Sequence, residues 1–189
     1  DEMGLGKTVQ VVALLASFIL TAPKIWPFLI VVPNATCANW RREIKKWAPD
    51  LRVVAYYGGK VSQTLALDFE LFPGGARDMR AHVVIMSYDS VKDCDPRLKS
   101  VKWAGLVVDE AQALKSDESA LYRVLSSLKI PFKLLLTGTP LQNNKRELFN
   151  LLQFIDPAMR ADQLDERFSQ ITSENLPELH DLIRPYFLR

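Results

Sequence analysis

The sequence predicts an α/β fold in which a mostly parallel sheet is sandwiched between helices. Short apolar runs rich in Val, Ile and Leu alternate along the chain with longer segments that have helical spacing. Continuous apolar runs are typical of strands buried on both faces of a sheet. Their alternation with amphipathic segments indicates βαβ units, whose strands run parallel.

The strands are predicted by apolar runs that end at polar residues, Gly or Pro. In chain order these runs are FLIVV at 28–32, RVVAYY at 52–57, VVIM at 83–86, GLVVD at 105–109 and KLLLTG at 133–138. Pro-containing loops separate them, and no internal repeat or low-complexity linker interrupts the 189 residues. One domain is therefore predicted.

The main helices are predicted by apolar residues that recur every three or four positions. The segments are TVQVVALLASFIL at 8–20, NWRREIKKW at 39–47, ESALYRVLSSLK at 118–129 and RELFNLLQFI at 146–155. In the second of these, Trp40, Ile44 and Trp47 share one helical face and are expected to point into the core. The basic residues of that helix are then left on its outer face.

Composition narrows the function only slightly. The 24 basic and 22 acidic residues nearly cancel, and a net charge of +2 does not by itself indicate a nucleic-acid partner. No apolar run reaches the roughly 20 residues that a membrane span needs. Cys37 and Cys94 lie far apart without a Cys or His at metal-ligand spacing, so they are interpreted as reduced thiols.

The chain opens with DEMGLGKT, which has the parts of a phosphate-binding loop. In such a loop the backbone N–H groups face the phosphates, a Lys neutralises them and a Ser or Thr hydroxyl completes a Mg²⁺ shell. Lys7 and Thr8 supply the last two functions, and the residues predicted to bind ATP are Met3, Gly4, Leu5, Gly6, Lys7 and Thr8. The usual pattern has Gly where this chain has Asp1, and the strand that should precede the loop is expected upstream of Asp1.

A second motif, GLVVDEAQ, is an apolar strand that ends in two adjacent carboxylates. A carboxylate at the end of a buried strand costs folding free energy unless a cation or hydrogen-bond donors lie next to it. Asp109 is therefore a candidate Mg²⁺ partner, and Glu110 is a candidate to orient and deprotonate an attacking water. In a doubly wound sheet both motifs lie at the carboxyl ends of strands, so they predict a single site.

A third motif, KLLLTGTPLQNN, follows the last predicted strand. The hydroxyls of Thr137 and Thr139 flank Gly138 and precede a Pro, which favours a tight loop. Such a loop could contact both the Asp-Glu pair and a second ligand, so these residues are candidates for coupling. On its own the motif indicates only a turn.

Together these motifs resemble, in order and spacing, the first motor lobe of the Swi/Snf-type chromatin-remodelling ATPases, within the superfamily-two helicases. The resemblance rests on DEMGLGKT, on DEAQ with the following LKS, on LLTGTPLQNN running into ELFNLLQFIDP, and on the closing RPYFLR. It spans nearly the whole chain. Within that family, VVPNATCANWRREIKKWAP at 31–49 is similar to the chromodomain-helicase branch.

The resemblance implies that residues 1–189 form a RecA-like, helicase ATP-binding lobe, cut short at its N-terminus. The family's second motor lobe, absent from this chain, supplies catalytic arginines and the other half of the DNA track. ATP and Mg²⁺ are the implied cofactors, with Lys7 and Glu110 as catalytic residues and Asp109, Glu110, Ala111 and Gln112 as the DEAQ box. The implied partners are double-stranded DNA and nucleosomes, and the implied location is the nucleus.

One departure from the family concerns Gln112, where a His is usual. Gln keeps a donor and an acceptor but cannot titrate, so the coupling between ATP and DNA is expected to differ while hydrolysis is retained. The 189 residues alone are expected to be inactive, because the second lobe is missing.

DNA contact is predicted mainly from the resemblance. The expected contacts, through side chains and amides to phosphates, are Asn34, Thr36, Asn39, Tyr88 and Lys115. The basic face of the helix at 39–47 is either a second DNA-binding face or simply solvated. The function that the resemblance implies is that of an ATP-binding and ATP-hydrolysing lobe of a DNA-dependent ATPase that translocates on double-stranded DNA to remodel nucleosomes. Two other functions stay open: a strand-separating helicase, and a nucleotide-gated scaffold that binds ATP without turnover.

Overall fold

The computed structural model describes residues 5–138 and 144–188. Within them, five strands form one parallel sheet in the order β2-β3-β1-β4-β5. The strands are β1 (Phe28–Val32), β2 (Val53–Tyr56), β3 (Val83–Ser87), β4 (Gly105–Val108) and β5 (Phe132–Leu135). Each coincides with a predicted apolar run, and the predicted parallel sheet is confirmed.

Helices cover both faces of this sheet. In chain order they are α1 (Leu5–Leu20), α2 (Cys37–Trp47), α3 (Lys60–Leu65), α4 (Tyr88–Lys92), α5 (Pro96–Lys99), α6 (Ala120–Ser127), α7 (Lys145–Ile155), α8 (Ala161–Arg167) and α9 (Leu176–Ile183). A π-helix, Ala66–Leu71, directly continues α3. Short 3₁₀ turns lie at Asn34–Thr36, Pro73–Gly75, Ala111–Leu114 and Arg184–Tyr186.

The alternation of side chains along each strand separates two cores. In β1, Phe28, Ile30 and Val32 pack on one face against α1 and α2, while Leu29 and Val31 pack on the other. The second face is covered by α6 and by the π-helix that follows α3. Because both faces are covered, the strands read as continuous apolar runs.

A third apolar cluster joins the helices near the end of the described residues. Phe149 and Leu152 of α7 pack there with Leu164 of α8 and Leu179 of α9. Lys133 of β5 links α7 to the sheet, because its Nζ donates a hydrogen bond to the carbonyl of Phe154 at 2.7 Å. These helices thus continue the sheet-and-helix body rather than forming a separate one.

The expectation for Trp47 is wrong. Trp40 and Ile44 are buried as predicted, but Trp47 is 53% exposed. Helix α2 ends at Trp47, and the buried Ala48 takes the next core position in its place. The Trp47 indole lies along the helix flank instead, where Nε1 donates to Glu43 Oε2 at 2.9 Å.

Candidate nucleotide site

The predicted site residues lie at the carboxyl edge of the sheet. Tyr88 follows β3, Asp109 follows β4 and Thr137 follows β5, while the turn Asn34–Thr36 follows β1. Because all five described strands are parallel, these strand ends share one edge, where ligands bind in open α/β sheets. The predicted phosphate loop reaches the same edge through Lys7.

Asp109 is held by three backbone and side-chain contacts. Its N–H donates to the carbonyl of Val31 at 3.0 Å, which extends the β1–β4 ladder by one residue. Its Oδ1 accepts the N–H of Glu110 at 2.9 Å, and its Oδ2 accepts the indole N–H of Trp40 at 3.0 Å. Both carboxylate oxygens are therefore oriented, and each keeps acceptor capacity for a cation or water.

Glu110 has a backbone conformation that is unusual for a residue other than Gly. Its φ of 53° and ψ of 53° lie in the left-handed region, and the chain then turns at once into the 3₁₀ turn Ala111–Leu114. The N–H of Ala111 donates to the carbonyl of Leu136 at 2.8 Å and fixes this turn against the end of β5. Such backbone strain is concentrated at functional sites in proteins.

Gln112 joins the carboxylate pair to the third motif. Its Nε2 donates to Glu110 Oε2 at 2.5 Å, and its Oε1 accepts the hydroxyl of Thr137 at 3.3 Å. Lys7 reaches the same loop from α1, because its Nζ donates to the Thr137 carbonyl at 2.7 Å. Lys7, Thr137, Gln112 and Glu110 thus form one hydrogen-bonded chain, although Lys7 and Thr137 lie 130 positions apart.

Tyr88 belongs to the same group. Its hydroxyl donates to the carbonyls of Asp109 and Glu110, the latter at 3.1 Å. Burial raises the pKa of the Tyr88 hydroxyl above its ordinary value, and the nearby charges of Asp109 and Glu110 raise it further. The hydroxyl is therefore protonated at neutral pH and serves as a donor that holds the strained turn.

The start of α1 fits a phosphate group. Lys7 is exposed and Thr8 is buried. Among the described residues, a Cβ on Gly6 would meet no atom within 4 Å other than those of its chain neighbours and its own helix backbone. The 16-residue helix begins at Leu5, and the positive dipole end and first N–H groups of a helix suit a phosphate group. Met3, Gly4 and Thr139, which were also predicted for the site, lie outside the described residues.

Two side chains, Thr8 and Asp109, are the predicted Mg²⁺ partners. In residues 5–138 and 144–188, no three His, Cys, Asp or Glu side chains gather closely enough to hold a metal ion. Thr8 and Asp109 offer a hydroxyl and a carboxylate oxygen, and Mg²⁺ commonly completes such a partial shell with water and substrate phosphates. These two oxygen donors suit a magnesium ion that also binds the phosphates of a nucleotide.

Of the five residues predicted to contact DNA, two are exposed and three have side chains that already make hydrogen bonds within the protein. Asn34 is exposed, and Lys115 is exposed with a loose ion pair to Glu147 at 3.6 Å. The Thr36 hydroxyl donates to the Pro33 carbonyl at 2.9 Å, and Asn39 Oδ1 accepts from Arg42 Nη2 at 2.8 Å. The Tyr88 hydroxyl donates to the backbone carbonyls of Asp109 and Glu110.

Two contacts at the site were not predicted from the sequence. Trp40 was expected only as a core residue, yet its indole bonds Asp109. Asn150 of α7 donates from Nδ2 to the carbonyl of Lys115 at 2.7 Å and so links the loop after the DEAQ box to α7. No signal in the sequence separates this role of Trp40 from packing, because an indole at a core-facing helix position is fully explained by burial.

The fold and the arrangement of this edge define an α/β lobe of the RecA type. The chain belongs to the SNF2-related domain family, whose pattern matches residues 1–189. Family membership implies use of a nucleotide and identifies an SNF2-type ATPase domain of the kind found in chromatin remodellers. None of the described helices is long and apolar enough to cross a membrane.

Curated relatives carry the same region within much longer chains. The chain is 47% identical over 191 residues to the chromatin remodeling factor mit1 of Schizosaccharomyces pombe. It is 40% identical over 207 residues to a chromodomain-helicase-DNA-binding protein 3 homolog of Caenorhabditis elegans, and 39% identical over 196 residues to the protein CHROMATIN REMODELING 5 of Arabidopsis thaliana. All of this chain is covered, but only 13%, 12% and 11% of the three relatives.

Solved structures show the same architecture. The chain superimposes with a TM-score of 0.82 and 26% identity on the Sulfolobus solfataricus SWI2/SNF2 ATPase core in complex with double-stranded DNA. The corresponding ATPase core domain matches with a TM-score of 0.77, also at 26% identity. In both cases all of this chain is covered, together with 38% of the other chain.

Proposed function

We propose that the chain is the ATP-binding and ATP-hydrolysing lobe of a DNA-dependent ATPase that translocates on double-stranded DNA to remodel nucleosomes in the nucleus. The observation that carries the proposal is the hydrogen-bonded chain from Lys7 through Thr137 and Gln112 to Glu110. It joins the phosphate loop, the loop after β5 and the carboxylate pair in one site, as a nucleotide hydrolase requires.

In the proposed site, the backbone N–H groups of Met3, Gly4, Leu5 and Gly6 and the Lys7 ammonium bind the phosphates. Thr8 and Asp109 hold Mg²⁺, which when bound neutralises charge on the β and γ phosphates. The Lys7 ammonium leaves the Thr137 carbonyl for the phosphates, since a phosphate oxygen is a stronger acceptor than a neutral carbonyl.

Glu110 is proposed to orient the attacking water and to accept its proton. The Gln112 amide donates to Oε2 of Glu110, so that oxygen is already oriented and Oε1 is left for the water. The bond from Gln112 to Thr137 transmits movement of the loop Thr137, Gly138 and Thr139 to the base. That loop is proposed to couple DNA binding with hydrolysis.

Double-stranded DNA is proposed to lie across the same edge of the sheet. Asn34 and Lys115 are exposed there and suit contacts with phosphates. Thr36, Asn39 and Tyr88 are proposed with them, and the hydroxyls of Thr36 and Tyr88 would then exchange a carbonyl acceptor for a phosphate oxygen. Such contacts give binding without sequence preference, as a motor that steps along any DNA needs. The relative in complex with double-stranded DNA supports this choice of ligand.

The test is the steady-state ATPase rate of the full-length protein with and without duplex DNA. The proposal expects strong stimulation by blunt duplex and no separation of the strands of a tailed duplex. A nucleotide-gated scaffold would bind ATP without stimulated turnover. A strand-separating helicase would release the shorter strand of the tailed duplex, and either result would overturn the proposal.

Lys7→Ala should abolish ATP binding in the full-length protein, because it removes the cation that reaches the site from the phosphate loop. Isothermal titration with ATP and Mg²⁺ measures the effect. Lys24→Ala, an exposed lysine beyond the end of α1, is the matched control and should bind ATP as the wild type does. Wild-type affinity for ATP in Lys7→Ala would show that Lys7 does not bind the nucleotide.

A further inference from the structure

The Asp109 carboxylate is held by donors from two separate elements. Oδ1 accepts the N–H of Glu110 from its own strand end, and Oδ2 accepts the indole N–H of Trp40 from α2, at 3.0 Å. Rotation of the carboxylate about its terminal torsion would break one bond or the other. The orientation of the remaining lone pairs is therefore set jointly by the strand and the helix.

Trp40 is well placed to fix its partner. It is 1% exposed and is among the largest fully buried side chains in the part of the chain that the structure describes. It packs in the core that α1 and α2 form with the sheet, where close packing prevents the ring from turning. An indole N–H is only a donor, and leaving it buried without an acceptor would be costly, so the ring and the carboxylate restrain each other.

Packing alone does not require an indole at this position. A Phe would also fill an apolar site on a core-facing helix position, but it would bring no N–H. The other described indole donors differ: Trp103 donates to the Leu98 carbonyl and Trp47 to Glu43. Of these three donors, only Trp40 reaches a residue of the nucleotide site.

The geometry points to Trp40 as a positioning residue that orients the Asp109 carboxylate for the magnesium nucleotide. This inference rests on the proposed function, in which Asp109 acts toward Mg²⁺. Trp40 does not touch the nucleotide in this role. It acts through Asp109, in the way that hydrogen-bonded partners of ligating carboxylates tune metal affinity.

The experiment measures the affinity of the full-length protein for a non-hydrolysable ATP analogue over a series of Mg²⁺ concentrations, and again with EDTA. In Trp40→Phe, the Mg²⁺ concentration for half-maximal binding should rise by roughly tenfold, the lower end of the effect seen for such partners. Affinity in EDTA should stay within about twofold of the wild type, because the phosphate loop is unchanged.

Trp47→Phe is the matched control. It makes the same chemical change on the same helix and also removes an indole–carboxylate hydrogen bond, of 2.9 Å, but one outside the site. Its Mg²⁺ dependence should equal that of the wild type. An equal loss of affinity with Mg²⁺ and in EDTA in Trp40→Phe would show a purely structural role and overturn the inference.

Asp109→Asn separates failure of the inference from failure of the proposed function. If Asp109→Asn keeps wild-type Mg²⁺ dependence, the assignment of Asp109 and the inference built on it both fail. If Asp109→Asn raises the Mg²⁺ concentration for half-maximal binding while Trp40→Phe does not, only the role given to Trp40 is wrong. The double variant should need the same Mg²⁺ concentration for half-maximal binding as Asp109→Asn alone, since the carboxylate that Trp40 orients is already gone.

A second measurement needs no variant and covers the case in which Trp40→Phe fails to fold. A crystal structure of the full-length protein with the ATP analogue and Mn²⁺ would locate the cation by anomalous scattering. The Trp40 Nε1–Asp109 Oδ2 hydrogen bond should persist with the cation bound. A Trp40 indole turned to another acceptor in that structure would overturn the inference.

Discussion

Glu110 combines a strained backbone with several restraints on its position. A left-handed conformation costs a residue other than Gly about 1–3 kcal/mol. The Ala111–Leu136 hydrogen bond on one side and the Tyr88 hydroxyl on the other hold the turn in place. This turn separates the two carboxylates in space, since Asp109 stays in line with β4 while Glu110 begins the 3₁₀ turn.

Glu110→Gln should leave ATP binding intact and lower turnover by roughly 10²-fold or more, because the side chain keeps its size but no longer accepts a proton. Nucleotide affinity and steady-state ATPase rate, both in the full-length protein, measure the two effects separately. Glu118→Gln, an exposed glutamate outside the site, is the control. Normal hydrolysis in Glu110→Gln would show that another residue acts as the general base.

Gln112→Glu should lower DNA-stimulated turnover by roughly tenfold, the effect of losing one hydrogen bond to a charged group. The new carboxylate still accepts from Thr137, but it cannot donate to Glu110 and repels it. ATPase rates at saturating duplex DNA test this, with the exposed Gln163→Glu as the control. Unchanged stimulation by DNA would show that Gln112 does not couple the two sites.

Residue by residue, the sequence predicts the members of the site better than their contacts. Lys7 and the Asp109–Glu110 pair are identified by motif, because their chemistry fixes the residue types. The bond from Trp40 to Asp109 joins positions 69 apart on different elements. No local pattern encodes such a bond, and it depends on how α2 is placed against β4.

At the scale of elements, β1, β3 and β4 are predictable because burial on both faces makes their apolar runs continuous. The edge strand β5 is less buried, but its three Leu residues at 134–136 still form an apolar run. The helical stretch at 60–71 cannot be predicted in this way, because several of its apolar residues are exposed while a polar residue is buried. Val61 and Phe69 are 75% and 73% exposed, whereas the polar Gln63 is buried. Gln63 faces inward because its Nε2 donates to the Gly58 carbonyl at 2.9 Å, a contact that periodicity cannot reveal.

The start of α6 offers a prediction at this scale. Ser119 caps the helix, since its Oγ accepts the N–H of Tyr122 at 3.2 Å. Removing such a cap costs about 1 kcal/mol of helix stability. Ser119→Ala should therefore speed amide hydrogen exchange in α6 by roughly fivefold where exchange occurs by local opening.

Exchange is measured by mass spectrometry on peptides that contain Ala120–Ser127 in the full-length protein. Ser127→Ala, at the exposed end of the same helix, is the control and should change exchange little. Equal rates in Ser119→Ala and the wild type would show that tertiary packing, rather than the cap, decides when α6 opens.

At the scale of the whole molecule, the candidate site lies along one edge of the sheet. In the proposed mechanism, the described residues supply the phosphate-binding, magnesium-binding and base groups. The cation that stabilises charge on the transferred phosphoryl group comes from elsewhere. The matched ATPase core structures are longer, since this chain covers 38% of each. We propose that a second lobe of the same polypeptide supplies catalytic arginines and the other half of the DNA track.

Residues 1–189 expressed alone should then show weak nucleotide binding and no ATPase stimulation by duplex DNA, while the full-length protein shows both. An arginine supplied to such a site is worth about 10³ to 10⁵ in rate, so the isolated lobe should be slower by at least about 10³-fold. Circular dichroism of the isolated lobe must first show the helix and strand content of a folded domain. Lys7→Ala in the full-length protein sets the background rate. Robust, duplex-stimulated turnover by residues 1–189 alone would mean that the described edge already contains every group that hydrolysis needs.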